Sequence, residues 1–268
     1  PIELSGLGSF DAEGAPLQYA WDLVDDGQLA FIDADTANTN ALFSDNGLYS
    51  VVLRVTDDGG KTDIDSARVQ VLNVPPRIDA ISTSSPIDEG DRLSVEVRVT
   101  DPGDDVLTYF FDWEGDGELD AQQIGANRIE QRYLDDGRFN LRVVVEDDDG
   151  GRIEQETEVV VRNLPPQILQ VIAPERVLEA SPFTIQVIAR DPGNDPILYA
   201  YDLDADGVFE RAGPDLNEIE LAFPDDGLYS VAMRLCDQQG ACAERDISIN
   251  VQNRRPELER IDVTSPIR

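Results

Sequence analysis

The sequence Asn-Val-Pro-Pro at residues 73–76 returns as Asn-Leu-Pro-Pro at 163–166 and as Asn-Arg-Arg-Pro at 253–256, each copy 90 residues after the one before. Two other segments keep this period: Asn-Gly-Leu-Tyr at 46–49 with its copies at 136–139 and 226–229, and Trp-Asp-Leu at 21–23 with its copies at 111–113 and 201–203. A period kept without gaps over two intervals identifies an internal repeat.

The repeat predicts three domains and a remainder. Cut after each proline-containing linker, the copies are residues 1–76, 77–166 and 167–256, and residues 257–268 remain. The first copy is shorter because it lacks the leading strand. Leu258, Ile261 and Ile267 match the start of the other copies, so we expect 257–268 to be the first strand of a fourth copy.

Within a copy, apolar residues alternate with polar ones, which predicts half-buried β-strands and no long helix. Leu93, Val95 and Val97 show this alternation in the middle copy. Turn sequences such as Asp-Asp-Gly and Asp-Pro-Gly separate roughly seven short strands per copy, which is typical of an immunoglobulin-like sandwich. The sequence therefore predicts an all-β chain of tandem sandwiches, arranged as an extended rod of about 100 Å or more.

One segment of each copy resembles the Tyr-x-Trp-Asp-Phe motif of PKD (polycystic kidney disease) domains: Tyr-Ala-Trp-Asp-Leu at 19–23, Tyr-Phe-Phe-Asp-Trp at 109–113 and Tyr-Ala-Tyr-Asp-Leu at 199–203. The Asp-Gly-x-Tyr segments and the Val-x-Asn-x-Pro-Pro linkers are also similar to this family, so the resemblance covers nearly the whole chain. It implies extracellular modules of bacterial surface proteins and secreted hydrolases, usually without catalytic activity.

The charge of the chain excludes several functions. The 268 residues include 55 acids, 21 bases and no histidine, for a net charge of −34. Such a chain repels nucleic acid and anionic lipid, and it cannot form a histidine-based triad or metal site. No apolar run reaches the ~20 residues of a membrane helix. We therefore expect no enzyme, no nucleic-acid partner and no membrane insertion by this segment.

Carboxylates gather in the loops that a seven-strand sandwich places at its two ends, on either side of the linker asparagines. These loops also hold Asp45, Glu89, Asp195 and Asp237. Dense sets of oxygen ligands suit Ca²⁺, and bound cations would offset the negative charge. The candidate calcium ligands are Asp22, Asp26, Asn73, Asp101, Asp104, Asp112, Glu114, Asp116, Asp120, Asp147, Asn163, Asp191, Asn194, Asp202, Asp204, Asp206 and Glu210.

Residues 202–207 have the Asp-x-Asp-x-Asp-Gly spacing of a calcium loop, followed by Glu210. Residues 112–120 match it in the middle copy, whereas the first copy has Val24 and Ala30 at two ligand positions. The same spacing is also an ordinary turn sequence, because Asp bonds to nearby backbone and Gly accepts a positive φ. Both interpretations, turn and calcium site, stay open for each loop.

Cys236 and Cys242 flank a short turn, and their counterparts are Thr56 with Thr62 and Glu146 with Arg152. A hairpin brings such positions together, so we expect a disulfide; two free thiols in a reducing compartment is the alternative. The aromatic residues alternate on the apolar face, so we expect core packing and not a sugar-binding platform. Trp113 lies at a strand end, and its exposure would decide between core packing and a sugar-binding platform.

The leading hypothesis for function is a non-catalytic extracellular array, a spacer, stalk or filament stiffened by calcium at its domain junctions. The alternative is an accessory module of a secreted hydrolase or adhesin that binds carbohydrate or protein. The expected partners are further copies of the repeat, head to tail, either in one continuous chain or as a polymer in which 257–268 of one chain adds a strand to the next.

Overall fold

A computed structural model describes residues 1–23, 28–257 and 259–260. This part of the chain consists of strands, turns and loops, and it contains no helix long and apolar enough to cross a membrane. It divides into two compact units, one formed by 1–82, 95–129 and 140–158, the other by 83–94, 130–139 and 159–268. Each unit contains one linker together with the loops on both sides of it.

The described residues form twenty-one strands. The first copy holds β1 (Ile2–Ser5), β2 (Gln18–Asp22), β3 (Asn38–Ala41), β4 (Gly47–Thr56) and β5 (Thr62–Val71). The middle copy holds β6 (Arg77–Thr83), β7 (Ile87–Asp88), β8 (Arg92–Thr100), β9 (Thr108–Asp112), β10 (Ala121–Ile124), β11 (Arg128–Arg132), β12 (Gly137–Glu146) and β13 (Arg152–Arg162). The third copy holds β14 (Gln167–Ile172), β15 (Arg176–Leu178), β16 (Phe183–Arg190), β17 (Leu198–Asp202), β18 (Arg211–Gly213), β19 (Glu218–Leu221), β20 (Gly227–Cys236) and β21 (Cys242–Gln252).

The middle and third copies each have a three-stranded and a five-stranded sheet. Their orders are β11-β8-β6 with β10-β9-β12-β13-β7, and β14-β16-β19 with β15-β21-β20-β17-β18. In each five-stranded sheet the short strand after the leading strand pairs parallel with the last strand, β7 with β13 and β15 with β21. The prediction of an all-β chain of immunoglobulin-like sandwiches is confirmed.

The first copy has a smaller set of strands. Its sheets are β1-β3 and β2-β4-β5, so among the described residues β5 has no parallel neighbour corresponding to β7 or β15. The sequence predicts that residues 257–268 form the first strand of a fourth copy, and of these Leu258 and residues 261–268 lie outside the described residues. The domain boundaries at 76, 166 and 256 and the head-to-tail partners therefore stay predictions.

The core of the third copy shows why alternation makes these sandwiches. Ile185 and Val187 of β16, Tyr201 of β17 and Val231, Met233 and Leu235 of β20 are buried in a single apolar cluster, while the residues that alternate with them along β16 and β20 are more exposed. Burial of such side chains contributes roughly 1.5–3 kcal/mol each, which is the main stabilisation that a sandwich of this size has.

The turn before the long strand β20 has a conformation that requires glycine. Gly227 has a φ of +153°, and its counterparts Gly47 and Gly137 have +148° and +144°. The turn is closed by a tyrosine corner, in which the hydroxyl of Tyr229 donates to the carbonyl of Asp225 at 3.2 Å. Tyr49 makes the same bond to Asp45 at 2.9 Å, which fixes the start of this strand in the first copy.

The aromatic residues of the repeat motif pack inside, as predicted. Trp21, Tyr109, Phe111 and Tyr201 are buried. Trp113 is also buried, at 4% exposure, and it stacks on Phe111 with 5.2 Å between ring centroids. Its position at the strand end therefore does not present it to a ligand.

Candidate metal sites

The linker between the middle and third copies lies against a buried glutamate, within the second compact unit. Glu89 follows β7 and is 1% exposed. Its Oε1 accepts a hydrogen bond from the amide of Leu164 at 2.9 Å, which ties the carboxylate to the linker. Its Oε2 is buried and has no hydrogen-bond partner. A buried carboxylate oxygen without a partner is costly, because nothing replaces the water that it has lost.

Two aspartates of the loop after β16 complete this cluster with Glu89. Oxygens of Glu89, Asp191 and Asp195 all lie within 4.8 Å of one another. The Oδ1 of Asp191 accepts from the amides of Gly193 and Asp195, whereas the Oδ2 atoms of both aspartates are buried without partners. Each of the three clustered carboxylates therefore has a buried oxygen without a partner.

The linker asparagine lies beside a fourth acid. Asn163 donates from Nδ2 to the Oδ2 of Asp237 at 3.0 Å, and its own Oδ1 is buried and unpaired. The Oδ1 of Asp237 accepts from the amides of Gly240 and Ala241. We name Glu89, Asn163, Asp191, Asp195 and Asp237 the second junction. Its side chains offer oxygen ligands only, which is the donor set that Ca²⁺ prefers.

Burial and like charge act together at the second junction. Burial raises the pKa of Glu89, and the charges of Asp191 and Asp195 add to this effect. Burial also raises the pKa of Asp195, again with Asp191 as the main charged neighbour. Carboxyl groups in such surroundings resist ionisation unless a cation joins them.

The first compact unit contains the same arrangement one repeat earlier. Asn73 donates to the Oδ2 of Asp147 at 2.9 Å. Oxygens of Asp101, Asp105 and Asp147 lie within 4.8 Å of one another, and so do oxygens of Asp45, Asp105 and Asp149. We name Asp45, Asn73, Asp101, Asp105, Asp147 and Asp149 the first junction.

Asp105 is the centre of the first junction. It belongs to both carboxylate groups, and its Oδ1 is buried without a partner, as is the Oδ2 of Asp101. Burial, followed by the facing carboxylate of Asp101, raises the pKa of Asp105 to about 7. The two junctions share four equivalent positions, because Asn73, Asp101, Asp105 and Asp147 stand one period before Asn163, Asp191, Asp195 and Asp237. They differ in their other acids, which are Asp45 and Asp149 in the first and Glu89 in the second.

Of the eleven residues of the two junctions, the sequence pattern predicted five as ligands, placed four others in the same loops and missed two. Asp105 and Asp149 were not predicted, although Asp105 stands one period before Asp195 and could have been found from it. Two further predicted ligands, Asp104 and Asn194, are exposed turn residues beside the acids of the clusters, and their role as ligands stays a prediction. Asn194 has a φ of +68°, a conformation that asparagine tolerates.

The loops after β9 and β17 form carboxylate clusters of their own. One consists of Asp112, Glu114 and Asp120, the other of Asp202, Asp204, Asp206 and Glu210. The loops close alike, since Asp120 accepts from the amide of Trp113 and Glu210 from that of Leu203, both at 2.8 Å. In the middle copy, Asp116 accepts from the amide of Glu118.

The charged groups of these two loops differ in pKa. Burial raises the pKa of Glu114, with Asp120 as the nearest contributing charge. For Asp112 and Asp202, burial is outweighed by hydrogen bonds from the loop amides, that of Gly117 or Gly207 foremost, so their pKa values are lowered. Asp112 and Asp202 therefore stay ionised more readily than Glu114.

The corresponding loop of the first copy is closed by different residues. Asp22 is buried, and its Oδ2 accepts from the amide of Ala30 at 3.1 Å. The amide of Leu23 is bound by Asp33 at 2.6 Å, so a different acid closes this loop. Asp26, which was also predicted as a ligand, lies outside the described residues.

Cys236 and Cys242 are joined by a disulfide. They are directly opposite each other at the ends of β20 and β21, so the bond closes a turn between strands that are already paired. Disulfides persist in oxidising compartments, which agrees with a secreted or extracellular protein.

Tandem sandwiches with acidic junctions define this chain as an array of extracellular-type β-sandwich modules. The family model described as PKD domain matches residues 1–71 and 73–161. This is more than half of the chain, which therefore belongs to the PKD domain family. The domains recognised in it are PKD and immunoglobulin-like modules, which are not catalytic.

Solved structures are similar to the chain in fold. The fibronectin(III)-like modules of Clostridium thermocellum CbhA match with 21% identity and a TM-score of 0.31, covering 69% of this chain and 100% of that one. The PKD domain of an M14-like peptidase from a Thermoplasmatales archaeon matches with 18% identity and a TM-score of 0.29, covering 34% and 98%. Drosophila N-cadherin EC1-4 matches with 17% identity and a TM-score of 0.28, covering 94% and 71%.

Proposed function

We propose that this chain is a segment of a non-catalytic extracellular spacer whose PKD domains are held together by calcium at the first and second junctions. The observation that carries the proposal is the set of buried oxygens without partners, Asp101 and Asp105 at one linker and Glu89, Asp191 and Asp195 at the other. Calcium bound between these oxygens would supply the missing partners and the missing positive charge.

The position of these residues gives calcium a mechanical role. In the second unit, Glu89 precedes the linker and Asp191 and Asp195 follow it, while the linker amide of Leu164 is bound by Glu89. An ion that joins acids from both sides of a linker restrains the linker. Without the ion, the same acids repel one another and favour separation.

The alternative, an accessory module that binds carbohydrate, needs exposed aromatic rings on a sheet face. The aromatic residues of the repeat motif that are largest and most suitable, Trp21 and Trp113, are buried at 5% and 4% exposure. The carboxylate clusters therefore support the spacer better than the aromatic residues support the binding module.

Calorimetric titration of the full chain with calcium chloride tests the proposal. Glu89→Gln removes a ligand charge at the second junction, and Glu96→Gln makes the same chemical change on an exposed strand position. We expect calcium binding in the native chain, an affinity at one site about tenfold lower or weaker still in Glu89→Gln, and native binding in Glu96→Gln. A native chain without calcium binding, or equal titrations of all three proteins, would overturn it.

A further inference from the structure

The residue paired with the first aspartate of each acidic loop differs among the three copies. Asp22 is directly opposite Val52, Asp112 is opposite Arg142, and Asp202 is opposite Ala232. The backbone register is the same in all three pairs. The three loops therefore differ in the charge that the neighbouring strand brings to them.

In the middle copy the arginine completes the loop. The Oδ1 of Asp112 accepts from the amides of Gly115 and Asp116 at 2.7 and 3.2 Å. Its Oδ2 accepts from the amide of Gly117 at 3.0 Å and from Nε of Arg142 at 3.1 Å. Arg142 also donates from Nη2 to the carbonyl of Gly117, and its side chain is only 19% exposed. Both oxygens of this buried carboxylate therefore have partners, one of them a cation.

In the third copy the same carboxylate is incomplete. Asp202 is 3% exposed, and its Oδ2 accepts from the amide of Gly207 at 2.9 Å. The other loop amides lower its pKa, but none makes a hydrogen bond of normal geometry to its Oδ1, which is buried. Asp204, Asp206 and Glu210 each bring an oxygen within 4.8 Å of the others. Ala232 offers no charge at the place of Arg142. The nearby Arg234 is directed elsewhere, to Glu244 at 2.6 Å and over the ring of Phe209.

We propose that the loop of residues 202–210 binds a calcium ion through Asp202, Asp204, Asp206 and Glu210, and that the Arg142 guanidinium replaces this ion in the middle copy. The spacing of the four acids is that of an oxygen-ligand calcium loop, with Gly207 at the turn. The two loops have nearly the same acidic pattern, but a positive charge reaches the first aspartate only in the middle copy, because the neighbouring strand has Arg142 there and Ala232 in the third copy. This site is separate from the junctions and does not depend on their function.

Amide NMR of the full chain labelled with ¹⁵N-glycine tests the proposal during titration with calcium chloride. Gly207 reports on the third-copy loop, Gly117 on the middle-copy loop, and Gly151 and Gly193 report on the two junctions. We expect Gly207 to shift on addition of calcium while Gly117 does not. Shifts at Gly151 and Gly193 then test the junctions independently, so that either proposal can fail alone.

Substitutions at positions 142 and 232, which are opposite Asp112 and Asp202, should exchange the calcium responses of the two loops. Ala232→Arg should weaken calcium binding by the loop of residues 202–210, followed at the Gly207 amide, by about tenfold or more. Ala232→Gln, whose side chain is long but neutral, should leave the calcium affinity of this loop near native. Arg142→Ala should make Gly117 respond to calcium. The proposal is overturned if Gly207 does not respond in the native chain, if Gly117 responds with the same midpoint, or if Ala232→Arg and Ala232→Gln behave alike. Should Ala232→Arg fail to fold, the native comparison and Arg142→Ala still decide.

Discussion

Gly193 lies where the loop after β16 approaches the Glu89 carboxylate, so a side chain has no room there. A Cβ atom at Gly193 would be 2.5 Å from both the Oε2 of Glu89 and the carbonyl oxygen of Leu134. The carbonyl belongs to the backbone and cannot move aside cheaply. The glycine therefore permits the close contact across the second junction on which the calcium proposal rests.

Substitution of this glycine should destabilise the chain. We expect Gly193→Ala to lower the free energy of unfolding by about 1–3 kcal/mol, because the loop must move away from Glu89 and Leu134. Gly213→Ala is the control, since the nearest atom to its Cβ is 3.5 Å away in the Leu216 side chain. Its effect should stay within about 0.5 kcal/mol. Equal urea unfolding midpoints for the two variants would contradict the close approach.

The raised pKa of Asp105 makes the stability of the calcium-free chain depend on pH in an unusual direction. Burial and Asp101 raise this pKa to about 7 from the usual 3.8 of an aspartate, with smaller contributions from Asp45 and Asp147. Between these values the folded state binds a proton that the unfolded state does not. Stability should therefore rise as the pH falls from about 8 to about 5.

Thermal unfolding of calcium-free protein across this pH range checks the sign. The melting temperature should increase toward pH 5 in the native chain and increase less in Asp105→Asn, which carries no titrating group at that position. A native melting temperature that falls steadily from pH 8 to pH 5 would refute the assignment.

At the scale of single elements, the hairpin β20–β21 combines strand pairing with the disulfide. Cys236 and Cys242 correspond to Thr56 and Thr62, which are likewise opposite each other on β4 and β5. The hairpin therefore forms in the first copy with no covalent bond. In the third copy the disulfide stabilises the fold only by lowering the entropy of the unfolded chain, and the loop that it closes is short.

Replacing both cysteines by threonine should leave the fold intact and cost about 2 kcal/mol or less. Circular dichroism spectra of Cys236→Thr/Cys242→Thr should match those of the native chain, with a lower urea midpoint. Loss of the β-sheet spectrum would show that the third copy, unlike the first, depends on its disulfide to fold.

The strands were predictable from the sequence, because the alternation of apolar and polar residues is a local pattern. The same alternation returns 90 residues later, so each copy supports the strands predicted in the next. The composition of each carboxylate cluster was less accessible. Whether Asp104 or Asp105 turns inward depends on the conformation of one turn. The contact of Arg142 with Asp112 depends on the register between β9 and β12, which sequence spacing does not define.

At the scale of the whole molecule, a net charge of −34 opposes folding through repulsion among the acids. Much of that charge is solvated, but the two junctions bury several carboxylates together. A spacer that depends on calcium at these points would be firm outside the cell, where calcium is abundant, and loose where it is scarce. The acidic composition and the sandwich fold are thus connected through the junctions.

Thermal unfolding of the full chain with calcium and with chelator tests the junction proposal most directly. Calcium should raise the melting temperature, since an ion bound only by the folded state contributes about 2.7 kcal/mol per site at one hundred times its Kd. In the double variant Glu89→Gln/Asp105→Asn, the calcium-free protein should melt higher than the native chain because repulsion is relieved, and calcium should raise its melting temperature by much less. Identical native melting curves with calcium and with chelator would contradict the proposal.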